Sequence, residues 1–179
     1  MEHTDHDIRT LVEKSTHGDS LSCKELYEHL VDKVYPFVRY RTTAETDATD
    51  ITQDVFIDLF STLSKFTYQS RAQLYAYVFV ITRRKLARHY GEIHRKGERE
   101  IHGLDVDTLS ASTTDLSPEL RIDVERALET LEESTREILV LHHFSRYTFG
   151  EIALLMDMTE SAVRVRHHRA LALLATELA

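Results

Sequence analysis

Eleven histidines and one cysteine are the side chains of this 179-residue chain best suited to metal or acid-base chemistry. His142 and His143 are adjacent, as are His167 and His168, but neighbours on a helix project about 100° apart and do not close on one ion. Cys23 stands alone, so the sequence offers neither a disulfide framework nor a thiolate cluster. No glycine-rich phosphate loop and no nucleophile elbow occurs. These absences predict a protein that is not an enzyme and needs no cofactor or metal. What remains is recognition through charge.

The formal net charge is −8, which opposes indiscriminate attachment to nucleic acid, because a uniformly acidic surface repels a duplex. The charges are sorted along the chain, however. Arg71, Arg83, Arg84, Lys85, Arg88, Arg95, Lys96 and Arg99 form one basic stretch, and Arg164, Arg166 and Arg169 form a second. Acids dominate the N-terminal part and the segment from Asp105 to Glu133. Sorted charge predicts two basic surfaces with separate jobs.

The elements that must position these residues are helices. Only five Gly and two Pro punctuate the chain, and apolar residues recur every three to four positions. The pattern predicts an all-α fold of two small domains: a four-helix domain within residues 1–102, a linker over 103–117 and a helix-turn-helix domain over 118–179. Helices are expected near Ile8–Thr16, Leu21–Arg41, Thr46–Phe66 and Gln73–Tyr90, with Pro36 kinking or ending the second. The linker, GLDVDTLSASTTDLS, is rich in Ser, Thr and Asp. A further helix should open at Pro118 and run to about Leu131. Ser134 with Glu137, and Thr148 with Glu151, have the spacing of capping boxes, and Thr159 is placed to cap the last helix.

The segment FGEIALLMDMTESAVRVRHHRA has the spacing of a helix-turn-helix with its turn at Asp157 and Met158. On the second helix Val163, His167, Ala170 and Leu174 share an inward face. The stripe holding Ser161, Arg164, Val165, Arg166, His168 and Arg169 is displaced from it and offers guanidinium forks to phosphates or guanine edges. The alternative is a basic terminal helix whose polar face is merely solvated. In DATDITQDVFIDLF, Ile51, Val55 and Leu59 fall on one side of a helix, with Asp50, Gln53 and Asp54 roughly opposite and free to bind a partner.

DATDITQDVF closely resembles an element of the extracytoplasmic-function (ECF) sigma factors of the sigma-70 family. The resemblance continues through YVFVITRRKLARHY, which is similar to the family's promoter-melting helix, and through LEESTREILVLHHFSRYTFGEIALLMDMTESAVRVRHHRA, which is similar to its −35-reading domain. It implies a transcription initiation factor whose Asp47, Asp50, Gln53 and Asp54 hold the β′ clamp helices of core RNA polymerase. The C-terminal domain would meet the β flap and the −35 duplex. The −10 element would be held as single strand by Phe66, Tyr68, Gln69, Tyr77, Arg83, Arg84 and Arg88. Cationic backbone contacts and aromatic platforms are what unstacked bases require, although Tyr75 and Tyr77 could equally be core or rim residues.

Thr49 stands where the family usually carries an acid, and it is a candidate phosphorylation site. A phosphate there would sit in the first turn of its helix, where the macrodipole favours an anion. The alternative is an ordinary first-turn residue, with Asp47, Asp50 and Asp54 sufficing. An anti-sigma factor or a Ser/Thr kinase is accordingly a candidate partner, and a membrane is not. The N-terminus lacks a signal-peptide pattern and no segment is long enough to span a bilayer, so a cytoplasmic location is expected. The rival reading, a stand-alone helix-turn-helix regulator that never meets polymerase, leaves the acidic face of DATDITQDVF without a role.

Overall fold

The computed structural model describes residues 4–96 and 131–177, without the side chains of 92–96 and 177. The expected linker and nearly all of the helix expected from Pro118 lie outside the described residues. Every regular element among the described residues is helical.

Helix α1 spans Asp5–Thr16 and opens on a capping box, in which Thr4 Oγ1 accepts from the Asp7 amide and the Asp7 carboxylate accepts from the Thr4 amide. Gly18, at φ +81°, supplies the left-handed residue that ends it. Helix α2, Ser20–Tyr40, is capped by Asp19, whose carboxylate accepts from the Ser22 amide at 2.8 Å. It continues past Pro36 and does not end there. Proline forfeits a single backbone bond near the C-terminal end, while the flanking Val34, Phe37 and Val38 are all buried and hold the last turn to the core. Helix α3 covers Glu45–Thr62, closes through a 3₁₀ turn at Leu63–Lys65, and leads by a short loop to α4, Arg71–Lys96.

In the C-terminal part α5 spans Glu133–Leu139 and runs on as a π-helical turn over Val140–Phe144. Ser134 and Glu137 do not form the expected capping box. The helix begins two residues earlier, with Glu132 at the cap and no side-chain bond there. Ser134 Oγ instead donates to Glu132 Oε1, and Glu137 is drawn to Arg41 Nη2 at 3.3 Å, a charge partner on α2 that outcompetes a local amide. The second box is formed: Thr148 Oγ1 accepts from the Glu151 amide and Glu151 Oε2 from the Thr148 amide, opening α6, Phe149–Leu155. Thr159 Oγ1 accepts from the Ala162 amide at the head of α7, Glu160–Glu177.

Leu26, Leu30 and Phe37 of α2, Val55 and Leu59 of α3 and Leu74 and Val78 of α4 form the first core with Ile8. Ile138, Leu141, Ile152 and Val163 form its continuation in the C-terminal helices, so a single apolar cluster crosses between the two parts. At the seam Lys33 Nζ donates to the Arg146 carbonyl at 3.0 Å and sits against the rings of Tyr75 and Tyr147, 4.6 and 4.4 Å from their centroids. Tyr75 meets Tyr147 edge-on, Arg71 faces Glu151, and Arg41 bridges Glu133 and Glu137. Burial pushes the Lys33 ammonium below its ordinary pKa. Lys33 and Tyr147 had no mark in the sequence.

Candidate nucleic-acid interface

The turn between α6 and α7 is made by Asp157 at φ +54°, a left-handed residue tolerated here by a short polar side chain. It aims α7 so that Val163 and Ala170 are buried and His167 and Leu174 half-buried, while Ser161, Arg164, Val165, Arg166, His168 and Arg169 are all exposed. Two of the three guanidinium groups are already engaged. Arg164 Nε donates to Glu160 Oε1 at 3.0 Å and its guanidinium lies 4.9 Å from the Phe149 ring centroid. Arg166 Nη1 donates to Ser134 Oγ at 2.8 Å.

Helix α3 turns Thr49, Asp50, Gln53, Asp54 and Ile57 to solvent, with Asp47 half-buried. Asp50, Gln53, Asp54 and Ile57 line an open groove with Lys85, Arg88 and His89 of α4. The acidic helix and the basic helix are therefore neighbours, and they neutralise one another in part. Lys85 Nζ lies 3.0 Å from Asp58 and 3.6 Å from Asp54, Arg84 Nη2 lies 2.8 Å from Asp58, and His89 lies 3.7 Å from Asp47. The Lys85 and Arg84 contacts hold the Asp58 carboxyl below its usual range. Asp58 was not singled out in the sequence, although its place four residues after Asp54 marks the same row of the helix.

The family model for Sigma-70 region 2 matches residues 26–95, and that for Sigma-70 region 4 matches residues 121–174. Together they cover well over half of the chain. It belongs to the sigma-70 family. Curated relatives place it among the ECF sigma factors: the ECF RNA polymerase sigma-E factor of Escherichia coli K12 is 28% identical over 177 residues, covering 90% of this chain and 89% of the relative. The ECF RNA polymerase sigma factor BldN of Streptomyces coelicolor is 25% identical over 172 residues, covering 92% of this chain, which spans 63% of BldN. Two solved structures share the fold. CnrH, in complex with the cytosolic domain of CnrY, aligns at a TM-score of 0.65 with 23% identity over 95% of this chain and 96% of CnrH. RpoE of Bartonella quintana, in complex with the anti-sigma factor NepR, aligns at 0.61 with 20% identity over 87% and 95%.

In this sigma factor the loop between α3 and α4 and the start of α4 hold the aromatic candidates. Phe66 stacks on Tyr77 with ring centroids 4.8 Å apart, and the Tyr77 hydroxyl donates to Thr62 Oγ1 at 2.6 Å. Tyr68 is buried, with its hydroxyl on Asp5, whereas Gln69 is exposed. Tyr75 is buried at the seam and bonded to His29 at 2.8 Å, which makes it a core residue. Arg83, Arg84 and Arg88 are exposed along α4, and the Arg83 guanidinium lies 5.7 Å from the Phe79 ring centroid.

The histidines of region 4 meet across helices. His143 Nε2 and His167 Nε2 lie 2.9 Å apart with ring centroids at 5.1 Å. That separation sets the rings end to end, so one nitrogen donates and the other accepts, and the two lone pairs do not converge on a third point. Among the described residues no three His, Cys, Asp or Glu come together to hold a metal.

Proposed function

We propose that this protein binds core RNA polymerase and directs it to promoters, with the outer stripe of α7 reading the −35 duplex and the 66–70 loop and α4 holding the −10 element as single strand. The observation that carries the reading is the exposed row of Asp50, Gln53 and Asp54 on α3. An acidic row beside a basic helix is of no use to a protein that binds DNA alone, since it repels the same phosphates. It suits a positively charged protein partner, and the β′ clamp helices are the partner the family supplies. The β flap takes the same role for region 4. Residues 1–102 and 118–179 are the two working units, with 103–117 as the tether. A stand-alone helix-turn-helix regulator finds no support in α3.

Thr49 lies on this surface, exposed, with its hydroxyl donating to the Glu45 carbonyl at 3.0 Å. A kinase acting there would add about −1.5 to −2 charges to the clamp-binding helix. The likeness to RpoE, solved with the anti-sigma factor NepR, supports an anti-sigma factor as the matching negative regulator. The reading is tested by size-exclusion co-elution of the full chain with core polymerase. Wild type co-elutes, and a folded variant carrying Asp50→Arg and Asp54→Arg does not. Retained co-elution by that variant contradicts the assignment of α3.

A further inference from the structure

We infer that Asp5, in the first turn of α1, is a positioning residue for base reading: its carboxylate fixes the 66–70 loop in the conformation that turns Thr67 and Gln69 outward. The inference rests on the reading of this loop as part of the −10 contact. Asp5 Oδ1 accepts from the Tyr68 hydroxyl at 2.8 Å and from the Arg71 amide at 2.8 Å. Arg71 is the first residue of α4, so a side chain from another helix satisfies one of the amides that α4 cannot bond internally. The Tyr68 hydroxyl also reaches the Asp5 carbonyl at 3.3 Å, and the Arg9 guanidinium lies 5.3 Å from the Tyr68 ring centroid. Helix α1 thus grips the loop at its middle and at its exit. The entrance is held separately by the stacking of Phe66 on Tyr77.

Phe66 enters the loop with extended backbone, Tyr68 is buried, and its two neighbours, Thr67 and Gln69, are exposed. Both carry the hydrogen-bonding groups that read an unstacked base edge. A short loop ordered in advance does not lose that order's entropy when the strand arrives, so discrimination between bases is retained in the binding energy. Tyr68 in this arrangement is the anchor, and its neighbours face the strand. The Arg71 amide and the Tyr68 hydroxyl hold the Asp5 carboxyl below its usual range, as donors to its ionised form do.

The test uses the full chain bound to core polymerase, with short single-stranded DNA carrying a randomised centre as the probe. Retained strands are sequenced for wild type, Asp5→Ala, Tyr68→Phe and the double variant. Asp5→Ala is expected to reduce base enrichment about tenfold at one or two positions, as the loss of one base contact does. Total strand retention and core co-elution stay at the wild-type level. Tyr68→Phe keeps the ring and removes the hydroxyl, so it tests the same contact even where Asp5→Ala loosens α1. The double variant should lose no more than the larger single effect. Asp5→Asn, which keeps an acceptor oxygen, should recover part of the enrichment. Wild-type enrichment in both Asp5→Ala and Tyr68→Phe overturns the positioning role alone. No enrichment in wild type overturns the −10 reading and the inference with it.

Discussion

Arg164 and Arg169 share the outer stripe of α7 but differ in what each must give up to reach a phosphate. Arg164 is bonded to Glu160 and rests on Phe149, whereas Arg169 has no ion pair among the described residues. Arg169→Ala should therefore weaken −35 duplex binding more than Arg164→Ala, and each lost phosphate contact should lower the salt slope by about one. Fluorescence anisotropy across a salt series measures both; equal affinity and slope in the double variant would remove α7 from the interface. His143 and His167 carry a second prediction. Both imidazoles are held below their ordinary value of 6.5, first by burial and then by neighbouring histidines, His142 above all. A base whose pKa is depressed by folding takes up its proton more readily when unfolded, so its contribution is full above pH 6.5 and is lost as pH falls below it. The melting temperature should drop more between about pH 7.5 and 5.5 for wild type than for a His143→Gln, His167→Gln variant. Parallel curves would refute the coupling. At this scale the exposed stripe of α7 was legible from helical period alone. The pairing of His143 with His167 was not, because period describes one helix and this contact joins two.

Among the elements, the caps read from the sequence at α6 and α7 are formed and the one read at α5 is not. Thr148 and Glu151 form their box, and Thr159 caps α7. Ser134 and Glu137 had the same spacing and failed, since Arg41 lies within reach of Glu137 only after α2 and α5 pack. Of the two outcomes expected at Pro36, a kink or an end, α2 does not end there, and local rules carry no term for the burial of Phe37 and Val38 beside it. Thr148→Ala should cost about 1 kcal/mol in urea unfolding, the usual loss of an N-cap oxygen. A change within error would mean that packing of Ile152 and Ala153 alone sets the start of α6.

For the whole molecule, the all-helical two-part organisation, the helix-turn-helix and the acidic α3 face were all legible, because each is a periodic pattern within one segment. The seam was not. Lys33, Tyr75, Tyr147 and Arg146 are far apart in sequence, and nothing in the spacing of any one of them announces a cation held between two rings. The Asp58 contacts with Lys85 and Arg84 are long-range in the same sense and bring the acidic and basic faces onto one surface. On the proposed function this surface and α7 serve one task, bringing polymerase to a promoter. Run-off transcription by core polymerase on a library of promoter fragments, with and without the full chain, tests that claim most directly. Discrete new transcripts are expected only when the chain is present, and are lost with the Asp50→Arg, Asp54→Arg variant. Binding of the same fragments by the chain alone, with no transcript added to those of core polymerase, would contradict it.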